Sequence, residues 1–238
     1  LVKNRDSFGV KKIMEHAFGL DIPQTLEEAC DPKRMVLLVY DMQVGIMRQI
    51  KNGEQLTERV VQVLQAARAA GVRIFFSRHM SLPKELMGVT QLRMALAWQR
   101  VDSVEQIKPW FLRDSPPFHL IPEVAPLDSE AVFDKIAMSA FEGTLLDTAL
   151  HDCGINRVAI VGVAMEIGIE PTVRHAVDLG YIPIVVTDAC GAGHAEAAAR
   201  SIAALEFAGD AFLTNVETIC RILAEKSGSQ QSGIRSAQ

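Results

Sequence analysis

Cysteine is sparse and unpatterned in this chain of 238 residues: Cys30, Cys153, Cys190 and Cys220 show no CxxC spacing and fall in or beside expected regular elements. That argues against a disulfide framework or a zinc site and points to reduced, buried thiols in a cytoplasmic protein. No apolar run approaches the roughly 18 residues of a spanning helix, and the opening LVKNRDSFGVKK has no apolar signal-peptide core, so no membrane partner is expected. Excess positive charge is missing too. A net charge of -5 gives no electrostatic ground for expecting nucleic acid, which leaves a small molecule as the expected partner. No Ser/Gly/Pro-rich linker divides the chain. One domain is therefore expected over 34–225, preceded by an N-terminal arm (1–33) that wraps either its own domain or a neighbouring subunit. A polar, disordered tail (226–238) follows.

What is present is an alternation of strands and helices. Met35 to Tyr40, MVLLVY, reads as a first buried strand, and Glu54 to Ala70 as a helix with Leu56, Val60, Val63, Leu64 and Ala67 on one face. Strands follow at Val72 to Ser77, Ala131 to Asp134, Arg157 to Val161 and Tyr181 to Thr187, with an edge strand at Ala211 to Leu213. Pro183 places the fifth strand near an edge, or itself near the strand's first residues. Helices are expected near Val10 to Phe18, at Gln91 to Arg100, Thr144 to Asp152, His194 to Phe207 and Val216 to Ala224, and from Gly168 to Leu179. Such alternation implies parallel strands with right-handed crossovers, hence a doubly wound, mostly parallel sheet in a three-layer α/β/α domain. The irregular stretch Pro83 to Pro126, carrying Trp98, Trp110 and Phe111, has the length of a lid or a subunit contact.

Ligands of open α/β sheets bind at the carboxyl ends of the strands. Asp41 follows the first strand there, either as a chemical group or as a turn cap. Arg78 and His79 follow the second, where they would read a carboxylate or carbonyl or simply bond locally. Lys135 follows the third, as a site group or as a surface lysine. The stretch RVAIVGVAMEIGIEPT carries small residues at Gly162, Ala164 and Gly168 and runs from a strand into a helix, so its backbone N–H groups are placed for a carboxylate or an oxyanion. Glu166 and Glu170 sit in that first turn, as a catalytic base or as charges favoured by the helix dipole.

Three stretches taken together, VLLVYDMQ, FDKIAMSAFEGTLL and AIVGVAMEIGIEPTVRHAVDLGY, resemble the isochorismatase-like (cysteine hydrolase) superfamily from about Met35 to Leu223. The resemblance implies a homo-oligomer and a site built from Asp41, Lys135 and the turn Val163 to Gly168, with a cis peptide between Val163 and Ala164. Val163 and Ala164 of that turn, with Arg78, His79, Phe141 and Glu166, are the candidate substrate contacts. The Asp-x-His-x-His cluster of metal-binding relatives is absent, so no metal and no other cofactor is expected. In amide-hydrolysing members a cysteine at position 168 attacks the carbonyl. Here the residue is glycine, as in true isochorismatases, which closes the acyl-enzyme route at its first step. Cys190 follows a different strand and is not a substitute.

True isochorismatases split a vinyl ether by protonating the enol carbon and adding water to the oxocarbenium ion. In that reading Asp41 is the general acid, and water attacks from the room that the absent side chain leaves. The chain departs from them at the lysine motif, KIAMSAF where they resemble KWRYSAF, and in having Ser77-Arg78-His79 where they carry a glutamine. The expected function is thus hydrolysis of a small carboxylated molecule. The alternatives are amide or ester hydrolysis by water activated at Asp41 or Glu166, and ligand binding without catalysis.

Overall fold

A computed structural model describes residues 14–235. In chain order the elements are β1 (Glu15–Ala17), β2 (Leu20–Ile22), α1 (Leu26–Ala29), β3 (Met35–Tyr40), α2 (Val44–Met47), α3 (Gly53–Ala69) and β4 (Arg73–His79). Then come α4 (Val89–Gln99), β5 (Ala131–Lys135), α5 (Leu146–Asp152), β6 (Arg157–Val163), α6 (Glu170–Asp178), β7 (Ile182–Gly191), α7 (Ala195–Ala208), β8 (Phe212–Thr214) and α8 (Val216–Arg235). A single π-helical turn, Met165–Ile169, joins β6 to α6.

Six strands form one sheet in the order β5-β4-β3-β6-β7-β8, every neighbouring pair parallel. β3 is buried along its whole length, because a parallel sheet covered on both faces needs apolar side chains on both. One face packs Met35, Leu37 and Val39 against Val60, Val63, Leu64 and Ala67 of α3 and Ile219, Ile222 and Leu223 of α8. The other packs Val36, Leu38 and Tyr40 with Leu146 and Leu150 of α5, Val173 and Ala176 of α6 and Leu205 of α7. Each Val or Leu so buried stabilises the fold by about 1.5–3 kcal/mol. The result is the expected three-layer α/β/α domain.

Several boundaries depart from the sequence reading. The helix expected at Val10 to Phe18 lies partly outside the described residues, and its described part is a β-hairpin: β1 pairs antiparallel with β2 around Phe18 and Gly19, both at positive φ. Pro183 agrees with its reading: β7 lies next to the edge strand β8, and the proline is its second residue, where a missing N–H costs little. α8 continues to Arg235, through part of the stretch whose polar composition predicts disorder. Ser227 Oγ there donates to the Ala69 carbonyl at 3.2 Å, tying this end of α8 to α3.

Crossovers run from β3 to β4 and β5 on one side, then jump to β6, β7 and β8 on the other. The order therefore reverses between β3 and β6, the point where such sheets open a crevice at their carboxyl ends.

Candidate active site

Asp41 stands at that crevice, one residue beyond β3, in a left-handed conformation with φ of 47°. A non-glycine residue there carries about 1–3 kcal/mol of strain, which surrounding contacts must hold. They do. The Ser77 hydroxyl donates to Asp41 Oδ1 at 2.6 Å, and Lys135 Nζ donates to Oδ2 at 2.7 Å. Asp41 N–H donates to the Ser77 carbonyl at 3.2 Å, and Gln43 N–H to the Asp41 carbonyl at 2.7 Å. Parallel register explains the set: Tyr40 pairs with Ser77 and His79 with Lys135, so the ends of β3, β4 and β5 lie side by side.

Lys135 is the last residue of β5 and its side chain has no exposure. Its ammonium also donates to the Ala137 carbonyl at 3.2 Å and lies 4.4 Å from the centre of the Tyr40 ring. Burial pulls the lysine's proton affinity below the ordinary range while Asp41 pulls it back. His79 is pushed down to about 4, first by burial and then by the Lys135 charge, so the ring is neutral at pH 7.

Beyond β6 the Val163–Ala164 peptide is cis, as the resemblance implies. The following turn spends the N–H groups of Ile167, Gly168 and Ile169 on the Ala164 carbonyl, at 3.0 to 3.2 Å. Gly168 thus has no spare backbone donor for a ligand. Nor is there open room above it. A Cβ at position 168 would overlap the Tyr40 hydroxyl and come within 2.7 Å of Tyr40 Cε1, so the space expected for water is taken by a phenol.

Asp41, His79, Val163, Ala164, Glu166 and Gly168 line one pocket of about 630 Å³, a size suited to a small-molecule ligand. Trp98, Trp110 and Phe111 from the long β4–β5 excursion also line it. Two expected contacts are elsewhere. Arg78 alternates to the other side of β4, where it pairs with Asp134 at 2.8 Å and stacks on Phe118 at 4.3 Å. Phe141 is buried against Tyr181 and His175, outside the pocket lining. Glu166 accepts the His194 N–H at 2.6 Å through Oε1, while its Oε2 is buried without a partner. Cys190 lies beside Gly162 on β7, where burial pushes its thiol far above the ordinary range. Glu170 faces Arg174 along α6 at 3.6 Å.

Ser77 and Tyr40 escape sequence reasoning because both read as ordinary strand residues. Only strand register brings them to the carboxylate and the lysine. Among the described residues, no group of three or more His, Cys, Asp or Glu is placed to hold a metal ion, and no helix is long and apolar enough to cross a membrane.

Known proteins share this fold and part of this sequence. The chain is 41% identical over 69 residues to the uncharacterized isochorismatase family protein YwoC of Bacillus subtilis, a match covering 29% of this chain and 36% of YwoC. It is 24% identical over 183 residues to the ureidoacrylate amidohydrolase RutB of Acinetobacter baylyi, covering 71% of this chain and 74% of RutB. A cysteine hydrolase crystal structure from Pseudomonas syringae pv. phaseolicola superposes with a TM-score of 0.72 at 22% identity, over 91% of this chain and all of that one, and so shares the fold. The Isochorismatase domain family matches residues 35–218, the span that holds the sheet, the crevice and the Asp41–Lys135 pair, and the chain belongs to that family of hydrolases.

Proposed function

We propose that the pocket hydrolyses the vinyl ether of a small carboxylated molecule without a covalent enzyme intermediate, with Asp41 as general acid. The observation that carries this reading is the pairing of a buried, doubly hydrogen-bonded carboxylate with a pocket that has glycine at position 168. No side-chain nucleophile stands there. Asp41 passes to the terminal carbon of the vinyl ether a proton drawn from the Lys135 ammonium, which donates to its Oδ2 at 2.7 Å, leaving an oxocarbenium ion and a neutral lysine amine. Water adds to that cation, its released proton returns through Asp41 to Lys135, and the hemiketal collapses to a ketone and an alcohol. Lys135 then faces the carboxylate that proton transfer leaves behind, and the neutral His79 ring offers a hydrogen-bonding group without adding a charge.

Pyruvate release from isochorismate tests the reading. Release by the native chain and its loss in Asp41→Asn support it; no release above background discards vinyl-ether hydrolysis of isochorismate. Amide hydrolysis by activated water is a second reading, favoured by Glu166, whose unpartnered Oε2 belongs to a pocket-lining carboxylate, and by similarity to an amidohydrolase. It predicts ammonia release from a ureido or carbamoyl substrate that is lost in Glu166→Gln and unaffected by Cys190→Ser.

A further inference from the structure

Tyr40 takes no part in the steps just described, yet it touches Lys135, the 137–138 segment and the turn at Gly168. It is the last residue of β3, 1% exposed, and its neighbour in the chain is Asp41. Its ring lies 4.4 Å beneath the Lys135 ammonium. Its hydroxyl donates to the Met138 carbonyl, next in line after the Ala137 carbonyl that receives Lys135. The same hydroxyl occupies the position that a side chain at 168 would need. Thr172 closes the cluster from behind, donating to the Gly168 carbonyl at 2.7 Å and accepting the Ala140 N–H at 3.0 Å.

We propose that Tyr40 is the positioning residue of this site: ring and hydroxyl together hold the Lys135 ammonium on Asp41 and fix the 137–138 carbonyls, while the phenol fills the room above Gly168. A cation over an aromatic face is held in place as well as attracted, and more strongly where water is excluded. Tyr40 and Gly168 are therefore one interlocked unit. A larger residue at 168 requires a smaller one at 40. Burial and the adjacent Asp41 charge also keep the phenol protonated, so it remains a donor throughout the working pH range. The catalytic part of this proposal rests on the hydrolytic reading above, whereas the interlock stands without it.

The test combines a stability cycle with kinetics. Gly168→Ala should lower Tm by roughly 5–10 °C in the native background and by less than about 2 °C in the Tyr40→Val background. If Gly168→Ala fails to fold while Tyr40→Val/Gly168→Ala folds, the interlock holds equally. The same cost in both backgrounds, or failure of the double variant alongside the single, overturns it. Tyr40→Phe keeps the ring and removes only the hydroxyl. With isochorismate as probe, its kcat should fall about tenfold, with KM within about twofold and the pH profile displaced. A native kcat and a native pH profile in that variant overturn the positioning role. Tyr181→Phe leaves Tyr40 as the chain's single tyrosine, and no phenolate absorbance should appear in the folded protein where a free phenol titrates, near pH ~10. Titration there overturns the proposal. If the native chain releases no pyruvate, the vinyl-ether reading falls, and the stability cycle and the phenol titration decide Tyr40 by themselves.

Discussion

At Asp41 a strained backbone, a lysine and a serine converge on one carboxylate, and each of the three is costly when considered alone. A buried ion pair is a poor stabiliser compared with well-packed apolar residues, but removing one partner leaves the other charge stranded at a cost of about 3–5 kcal/mol. Asp41→Asn and Lys135→Ala should each lower turnover by about 10²- to 10⁴-fold, as expected for a lost proton-transfer group. Asp41→Asn/Lys135→Met should melt higher than Lys135→Met alone, which thermal denaturation reads directly. His79 gives a second residue-scale outcome. Its folded value of about 4 lies below the ordinary 6.5, so the unfolded chain binds the proton first and stability falls as pH drops from about 6.5 towards 4. On the order of 3 kcal/mol is at stake, and His79→Asn should flatten Tm against pH across that window. Asp41, Lys135 and His79 were legible because charged residues at the ends of apolar runs stand out. Ser77 and Tyr40 were not, since a serine or tyrosine inside a buried strand carries no such contrast.

Elements rather than single residues decide which of the legible candidates meet. β4 runs two residues past the Ser77 boundary suggested by its apolar run, so Arg78 and His79 are strand residues with opposite directions, and only His79 reaches the pocket. A reading that placed both after the strand had no means of separating them. The π-helical turn is a second example. Small residues announce a close backbone approach at 162, 164 and 168, and Gly162, at φ of 123° with Tyr40 backbone against it, confirms one. The sequence carries no signal for the turn's extra residue, which spends three N–H groups on a single carbonyl. Behind that turn, the Thr172 hydroxyl accepts the Ala140 N–H, which ties α6 to the 139–141 segment, and donates to the Gly168 carbonyl of its own turn. Thr172→Val should therefore destabilise by about 1–3 kcal/mol through the stranded Ala140 N–H. Chemical denaturation would show this as a lowered midpoint at an unchanged slope.

For the molecule as a whole, the alternation of apolar runs was enough to read the layers and most strand ends, because parallel sheets demand continuous burial. Pairing order and the reversal between β3 and β6 depend on contacts distant in sequence, and periodicity does not encode them. The thiols follow the same global logic. Of the four thiols expected to be buried only Cys30 is, and burial pushes it up to about 12; Cys190 and Cys220 are half-buried and Cys153, at the end of α5, is exposed. Brief treatment of the native protein with iodoacetamide at neutral pH should modify Cys153 first and spare Cys30 and Cys190, as read by peptide mass mapping. Hydrolysis should survive that treatment unchanged.

Both tryptophans of the chain, Trp98 and Trp110, belong to the wall of the one pocket that contains Asp41. Excitation selective for indole consequently illuminates a single address in the protein and leaves the sheet, the helical layers and the N-terminal hairpin dark. A molecule entering the crevice announces itself in the ultraviolet emission of the unlabelled protein, and a library of metabolites is screened in a fluorimeter for the first that dims or shifts that light.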